Sequence, residues 1–193
     1  MVIGNAAGAA LVAAGATVIV LLSAKWRRRY ITLHSPGTVA HAIEKHIIDT
    51  QVPARSLGIR VFSVDENSLS LSAPLSDNRN VHGTAFAGSL YAVGVLSAYY
   101  LGRQWLIESG LAAAGYEMVA RTGHIEYKRP IKSTIVARSV LPAASALQAF
   151  RQKLEADGKA FLDVSGHMAV EGDERVHCEY CINVCAFKPR SSL

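Results

Sequence analysis

The hydrophobic pattern of the chain departs from helical or strand alternation in one long stretch. From Phe86 to Leu101 every residue is apolar or small, and no formal charge falls between Arg79 and Arg103. A helix with no polar face has no side to present to water, so this one is expected inside the fold, continuing through Trp105 to about Ala114. On either side the pattern is regular. Thr38–Gln51 reads as an amphipathic helix with Val39, Ala42, Ile43, His46 and Ile47 on one face, ended by Pro53. Leu57–Val64 and Leu69–Ala73 alternate as strands across an Asp65-Glu66-Asn67 turn. Met118–Lys128 and Ser133–Leu141 are further strands, stopped by Pro130 and Pro142. Ala143–Ala156 is helical and closed by Asp157-Gly158, and Phe161–Val170 and Val176–Phe187 form a last hairpin across Glu171-Gly172-Asp173.

The order is helix, two strands, long apolar helix, two strands, helix, two strands. An antiparallel sheet of about six strands wrapped around the long helix is the simplest way to bury that helix. The expectation is an α+β hotdog fold over residues 30–188, between an N-terminal segment (1–29) and a short tail (189–193). Residues 3–24 form an uncharged run of 22, followed by Lys25, Arg27, Arg28 and Arg29. That run is long enough to cross a bilayer as a helix of about 20 residues, and the basic flank would hold the domain on the cytosolic side. A membrane-anchored protein facing the cytosol is therefore expected. The first acidic residue is Glu44, so a mitochondrial presequence is the competing reading. The Ser191-Ser192-Leu193 end is a relaxed form of a peroxisomal address.

The net charge is +5, with much of it in that one basic cluster. The remainder is nearly balanced and carries no motif that reads DNA or RNA, so nucleic acid is not expected as a partner. Cys178, Cys181 and Cys185 suggest a metal or redox site by spacing. On a strand, however, Cys178 points to the opposite face from Cys181 and Cys185. Free packed thiols are expected, and no metal.

The candidate chemistry gathers just ahead of the apolar helix. Asn78, Asn80, Gly83 and Thr84 are turn and cap residues, and Gly88 and Ser89 fall in the first helical turn. A helix start carries free N–H groups and partial positive charge, which can hold an anion or a developing oxyanion. An ordinary N-terminal turn of a core helix would have the same sequence, and both readings stay open on the residues alone.

Pro53, Ala73-Pro74-Leu75, Asn78 with Asn80, Gly83-Thr84, Phe86, Gly88-Ser89-Leu90, and Tyr127 with Pro130 together resemble the YiiD C-terminal-type thioesterases of the hotdog superfamily. The resemblance covers about residues 37–188. It implies hydrolysis of an acyl-CoA or acyl-carrier-protein thioester by a homodimer, or a dimer of dimers, with sites at the subunit interface. It implies no cofactor beyond the coenzyme A or phosphopantetheine of the substrate. Asn80, Ala87 and Gly88 occupy the region that positions the thioester carbonyl in hotdog thioesterases, with Asn78, Gly83, Thr84 and Phe86 beside it. Those enzymes often carry an acid further along the helix; here the positions around Val95 are apolar and the first acid is Glu108. Preparing the water would fall to His82 in the loop, or to Glu126 or His124 on the strand Met118–Lys128 reaching a partner's helix start. Ser89 is a candidate nucleophile or donor. Lys128 and Arg129 are suited to the substrate's phosphates. The alternatives are an acyl-thioester binding module without chemistry, favoured by the absent helix acid, and a hotdog dehydratase.

Overall fold

Thr38 opens the first helix by accepting the His41 amide on its side chain at 3.1 Å, the cap expected of a threonine. In the computed structural model, which describes residues 35–189, this helix is α1 (Val39–Thr50). It is followed by α2 (Val52–Ser56), β1 (Arg60–Val64), β2 (Ser68–Ala73), α3 (Leu75–Asn78), α4 (Ala87–Glu108), β3 (Glu117–Tyr127), β4 (Ile135–Val140), α5 (Ala144–Asp157), β5 (Lys159–Val170) and β6 (Asp173–Phe187). The expected anchor (1–29) and the Ser-Ser-Leu end lie outside the described residues. Among those described, no helix is long and apolar enough to cross a membrane.

All six strands join one antiparallel sheet in the order β1-β2-β4-β5-β6-β3. The 22-residue α4 packs against one face of it. Glycines allow the approach. A Cβ added at Gly94 would stand 2.9 Å from Met168 Cε, and one at Gly102 would stand 2.8 Å from Met118 Sδ. Val93, Ala98, Leu101 and Leu106 of α4 are buried with Leu69, Leu71, Ile135, Val164 and Ile182 of the sheet. α5 covers the far end, where Phe150 meets Trp105 with ring centroids 5.6 Å apart.

Three expectations are corrected. Pro53 does not simply end a helix: the chain turns at Gln51, and Pro53 sits in the first turn of α2, where its missing N–H costs nothing. β1 therefore begins at Arg60 rather than Leu57. The apolar helix stops at Glu108, and Gly110, at φ +77, breaks it before a series of turns. It is also not buried all round. Tyr91, Ala92, Val95, Leu96 and Tyr99 stay partly exposed along one flank, because β3 is the last strand of the sheet and, among the described residues, no strand pairs with its outer edge.

The core holds one polar chain. Tyr180 Oη lies 2.8 Å from Ser139 Oγ, which donates to Ser97 Oγ at 2.9 Å. Ser97 in turn donates to the carbonyls of Leu69 and Ala137, at 3.0 and 3.3 Å. Every member is buried. Ser139→Ala takes the 2.8 Å partner from the buried Tyr180 hydroxyl, so the expected loss of stability is about 1–3 kcal/mol. Tyr180→Phe removes the hydroxyl itself and should cost less; urea unfolding midpoints of the two variants test the difference.

Candidate active site at the start of α4

The loop between α3 and α4 closes on itself. Its base is the pairing of Arg79 with Ala85, and the Asn80 amide N–H donates to Thr84 O at 2.7 Å. The Asn80 side chain sits at the centre. Its Oδ1 accepts from the His82 and Thr84 amides, and its Nδ2 donates to Thr84 Oγ1 at 2.9 Å. This is the side-chain turn that Asn favours, completed by Gly83 at φ +73. Asn80 thus builds the loop, and its amide already has partners within it.

Asn78 is placed differently from expectation. It is buried at 2% exposure, with Nδ2 donating to the carbonyls of Leu57 and Pro74 at 2.9 and 2.7 Å. It clamps the α2–β1 corner beneath the loop and is out of a ligand's reach. Its carbonyl also accepts the Phe86 amide at 2.7 Å, which occupies the first of the four N–H groups at the helix start. The Ala87, Gly88 and Ser89 N–H groups have no acceptor among the described residues, and Ala87 and Gly88 are exposed. No side chain caps this end of α4. Two of these unpaired N–H groups, those of exposed Ala87 and Gly88, thus face solvent at the positive end of a 22-residue helix. The Phe86 ring lies over Gly88, in the space a Cβ there would need. Ser89 is turned inward and buried.

A second loop is tied to this start. Ala85 N donates to Ile131 O at 2.8 Å, and Tyr127 Oη, at the end of β3, donates to Ala87 O at 3.0 Å. The loop is held from β6, where the Lys128 and Arg129 amides both donate to His177 O and His177 Nδ1 donates to Pro130 O at 3.1 Å. Tyr127, the tyrosine of the Tyr-x-x-Pro motif, belongs to the site and was not singled out as a functional residue from sequence.

Glu126 and His124 do not join this start within one chain. A bulge between Ala120 and Thr122 inserts a residue into β3, which inverts the alternation. Met118 packs on α4 at Gly102, yet beyond the bulge Gly123 and Tyr127 are the residues that face the helix. His124 and Glu126 therefore point from the outer face. Lys128 stands between Glu126 and Glu179, 2.6 Å from the latter, and that hydrogen bond raises its pKa. Its charge is already paired. Arg129 uses Nη1 on Val176 O at 2.7 Å and is otherwise exposed. His82 is exposed at the loop tip. The three cysteines are free thiols, and among the described residues no three His, Cys, Asp or Glu side chains gather as metal ligands would.

This sheet-and-helix architecture is that of the hotdog thioesterases. It is similar to that of a protein described as of unknown function from Chlorobaculum tepidum, with a TM-score of 0.69 at 23% identity over 80% of this chain and 97% of that one. A thioesterase, so described by inference, from Shewanella oneidensis aligns with a TM-score of 0.61 at 24% identity over 78% and 97%. A protein described as a probable thioesterase from Pseudomonas aeruginosa gives 0.63 at 18% over 77% and 96%. At these identities the likeness is one of fold. No curated protein matches the chain in sequence. The family model described as "Putative thioesterase (yiiD_Cterm)" matches residues 40–181, and the chain belongs to that family.

Burial pushes the Cys178 thiol up to about 11. The reactive thiolate is therefore absent near neutral pH, and Cys178 is expected to resist a thiol reagent at pH 8 until the protein is unfolded. An unfolded thiol loses its proton near pH 8.5 (about). Between that pH and about 11 the folded state holds the extra proton, so stability falls as pH rises through this window. Thiol titration with and without urea, and melting temperatures across it, check both statements.

Proposed function

We propose that the protein hydrolyses acyl thioesters, of coenzyme A or of a carrier protein, at the start of α4. The observation that carries this reading is the set of three unpaired N–H groups at Ala87, Gly88 and Ser89, two of them on exposed residues and all aligned with the helix dipole. A thioester carbonyl seated there gains hydrogen bonds as its oxygen becomes negative, which is selective stabilisation of the transition state. Membership of a thioesterase family supports the same chemistry.

Asn80 acts in this reading as a positioning residue, since it sets the loop that leads into Ala87. His82 is the general base: it is exposed on the same loop, whereas Glu126 faces outward beside Lys128. Exposed Arg129 and Lys132 flank Ile131, the residue tied to Ala85, and serve the phosphates of the substrate. We further assign the working form to a homodimer. β3 is an edge strand exposed on most of its length, and the neighbouring flank of α4 is partly exposed apolar surface; a second copy seated there covers both. The segment 1–29 would anchor the dimer to a membrane.

The second reading is a binding module that holds the thioester without cleaving it. It is favoured by the absence of any acid on α4 before Glu108. Thiol release by the full-length protein, across acyl-CoAs from acetyl to palmitoyl, separates the two. Turnover is expected, with His82→Ala lowering kcat by about 10²-fold or more and Asn80→Ala lowering it at least tenfold (roughly) through loss of the loop. Tight binding of acyl-CoA without thiol release would establish the module instead.

A further inference from the structure

We propose that His177 is a positioning residue for the site: its Nδ1–H on Pro130 O fixes the loop between β3 and β4, and through that loop the start of α4. The catalytic consequence rests on the thioesterase reading, while the geometry stands apart from it. The loop needs a tie from outside for a reason written in its sequence. β3 ends at Tyr127 and β4 begins at Ile135, and between them Pro130 brings no N–H. Among the described residues, two hydrogen bonds hold the backbone of residues 130–133. His177 Nδ1 donates to Pro130 O at 3.1 Å, and the Ala85 amide donates to Ile131 O at 2.8 Å. The first bond ties the loop to β6. The second passes that restraint to Ala85, which is buried and stands two residues before Ala87.

The ring is spent on this one bond. His177 is 7% exposed, and its Nε2 is buried with no hydrogen-bond partner among the described residues. Asp173 Oδ2 lies 3.8 Å from it, beyond hydrogen-bonding distance, and is itself held by Arg175. An unpaired buried nitrogen lowers stability. A leucine or phenylalanine would fill the space without that loss, so packing alone does not explain a histidine here. What the histidine adds is the donor at Nδ1. The bonds around it leave the side chain as the variable part. The Lys128 and Arg129 amides donate to His177 O at 2.8 and 3.0 Å, an acceptor that any residue at 177 supplies. Those two bonds stop short of Pro130. Changing the side chain therefore releases Pro130 and Ile131 while the pairing of β3 with β6 stays in place.

Two amide side chains separate the bond from the packing. Asn carries its NH₂ where histidine carries Nδ1, and Gln carries it where histidine carries Nε2. Gln is nearer to the ring in volume. Packing therefore ranks His177→Gln above His177→Asn, and the tie to Pro130 ranks them the other way. The test is thiol release from acyl-CoAs by the full-length protein, with melting temperatures of the same preparations. His177→Gln is expected to lower kcat and kcat/KM together by about tenfold, because a displaced helix start weakens the transition state and not the bound substrate. His177→Asn should stay close to the wild-type kcat while melting no higher than His177→Gln. A kcat for His177→Gln equal to or above that of His177→Asn overturns the tie and leaves the thioesterase reading standing. Loss of the fold in both variants overturns it too, since the ring is then needed by the sheet and not by the loop. If no form turns over, the hydrolysis reading fails, and amide hydrogen exchange decides the tie. Faster exchange at Ala85 in His177→Gln than in His177→Asn, with Leu71 in the sheet unchanged, upholds it. Equal exchange at Ala85 in the two variants, or faster exchange at Leu71 as well, overturns it.

Discussion

The close contact between α4 and the sheet is the constraint on which the rest of the molecule depends. A 22-residue helix whose only formal charges are Arg103 and Glu108 near its end is unstable in water unless most of its surface is covered. The cover is intimate because the chain places glycine where side chains would otherwise collide. Gly94 admits Met168 and Tyr180, Gly102 admits Met118, and across the sheet Gly166 makes room for the Tyr180 ring. Two of the colliding groups are flexible methionine ends, which can give way. Gly166 is less forgiving, because its Cβ would also meet the Arg138 backbone oxygen. The polar chain from Tyr180 through Ser139 to Ser97 lies in the same layer, so the ring that needs the glycines is also fixed in orientation by hydrogen bonds.

That contact leads directly to the chemistry. A helix anchored along its length presents a rigid start, and the loop before it is closed by its own side chains rather than by a cap on α4. Phe86 offers the first turn no hydrogen-bonding side chain. A Ser or Asp at that position would satisfy one of the free N–H groups and lower the value of the end as an anion site. The loop's stability comes instead from Asn80 and from Ala85 on Ile131, neither of which blocks Ala87, Gly88 or Ser89. Binding capacity and structural stability are thereby assigned to different groups.

Much of this was legible in the residues. The uncharged stretch marked α4, the alternation marked six strands, and the turn residues marked the loop. Two things were not legible, for physical reasons. Composition says that Asn78 and Asn80 favour turns, but not which is enclosed; that depends on Leu57 and Pro74 closing over Asn78. The facing of Glu126 depends on an irregularity with no strong sequence mark. Without the bulge at Ala120/Thr122, Met118 and Glu126 would share a face, and the carboxylate would point toward α4. One inserted residue moves it to the outer face and brings Gly123 and Tyr127 inward. The same bulge thus turns Glu126 away from this chain's own helix and supplies the partner on which Tyr91 rests.

The exposed flank of α4 follows from the position of β3 and not from the composition of the helix. Every other strand but β1 has two neighbours, and β3 has only β6. Its outer edge is unpaired among the described residues, and the strip Tyr91, Val95 and Tyr99 beside it is partly exposed apolar surface. Closing that strip permanently with larger side chains would stabilise a monomer, since each buried methylene contributes roughly 0.8 kcal/mol. Instead β3 carries Gly123 and exposed Ala120 along the seam. Small residues at an uncovered apolar edge give up stability in the isolated chain, and at Gly123 the space is taken by the Tyr91 ring of α4.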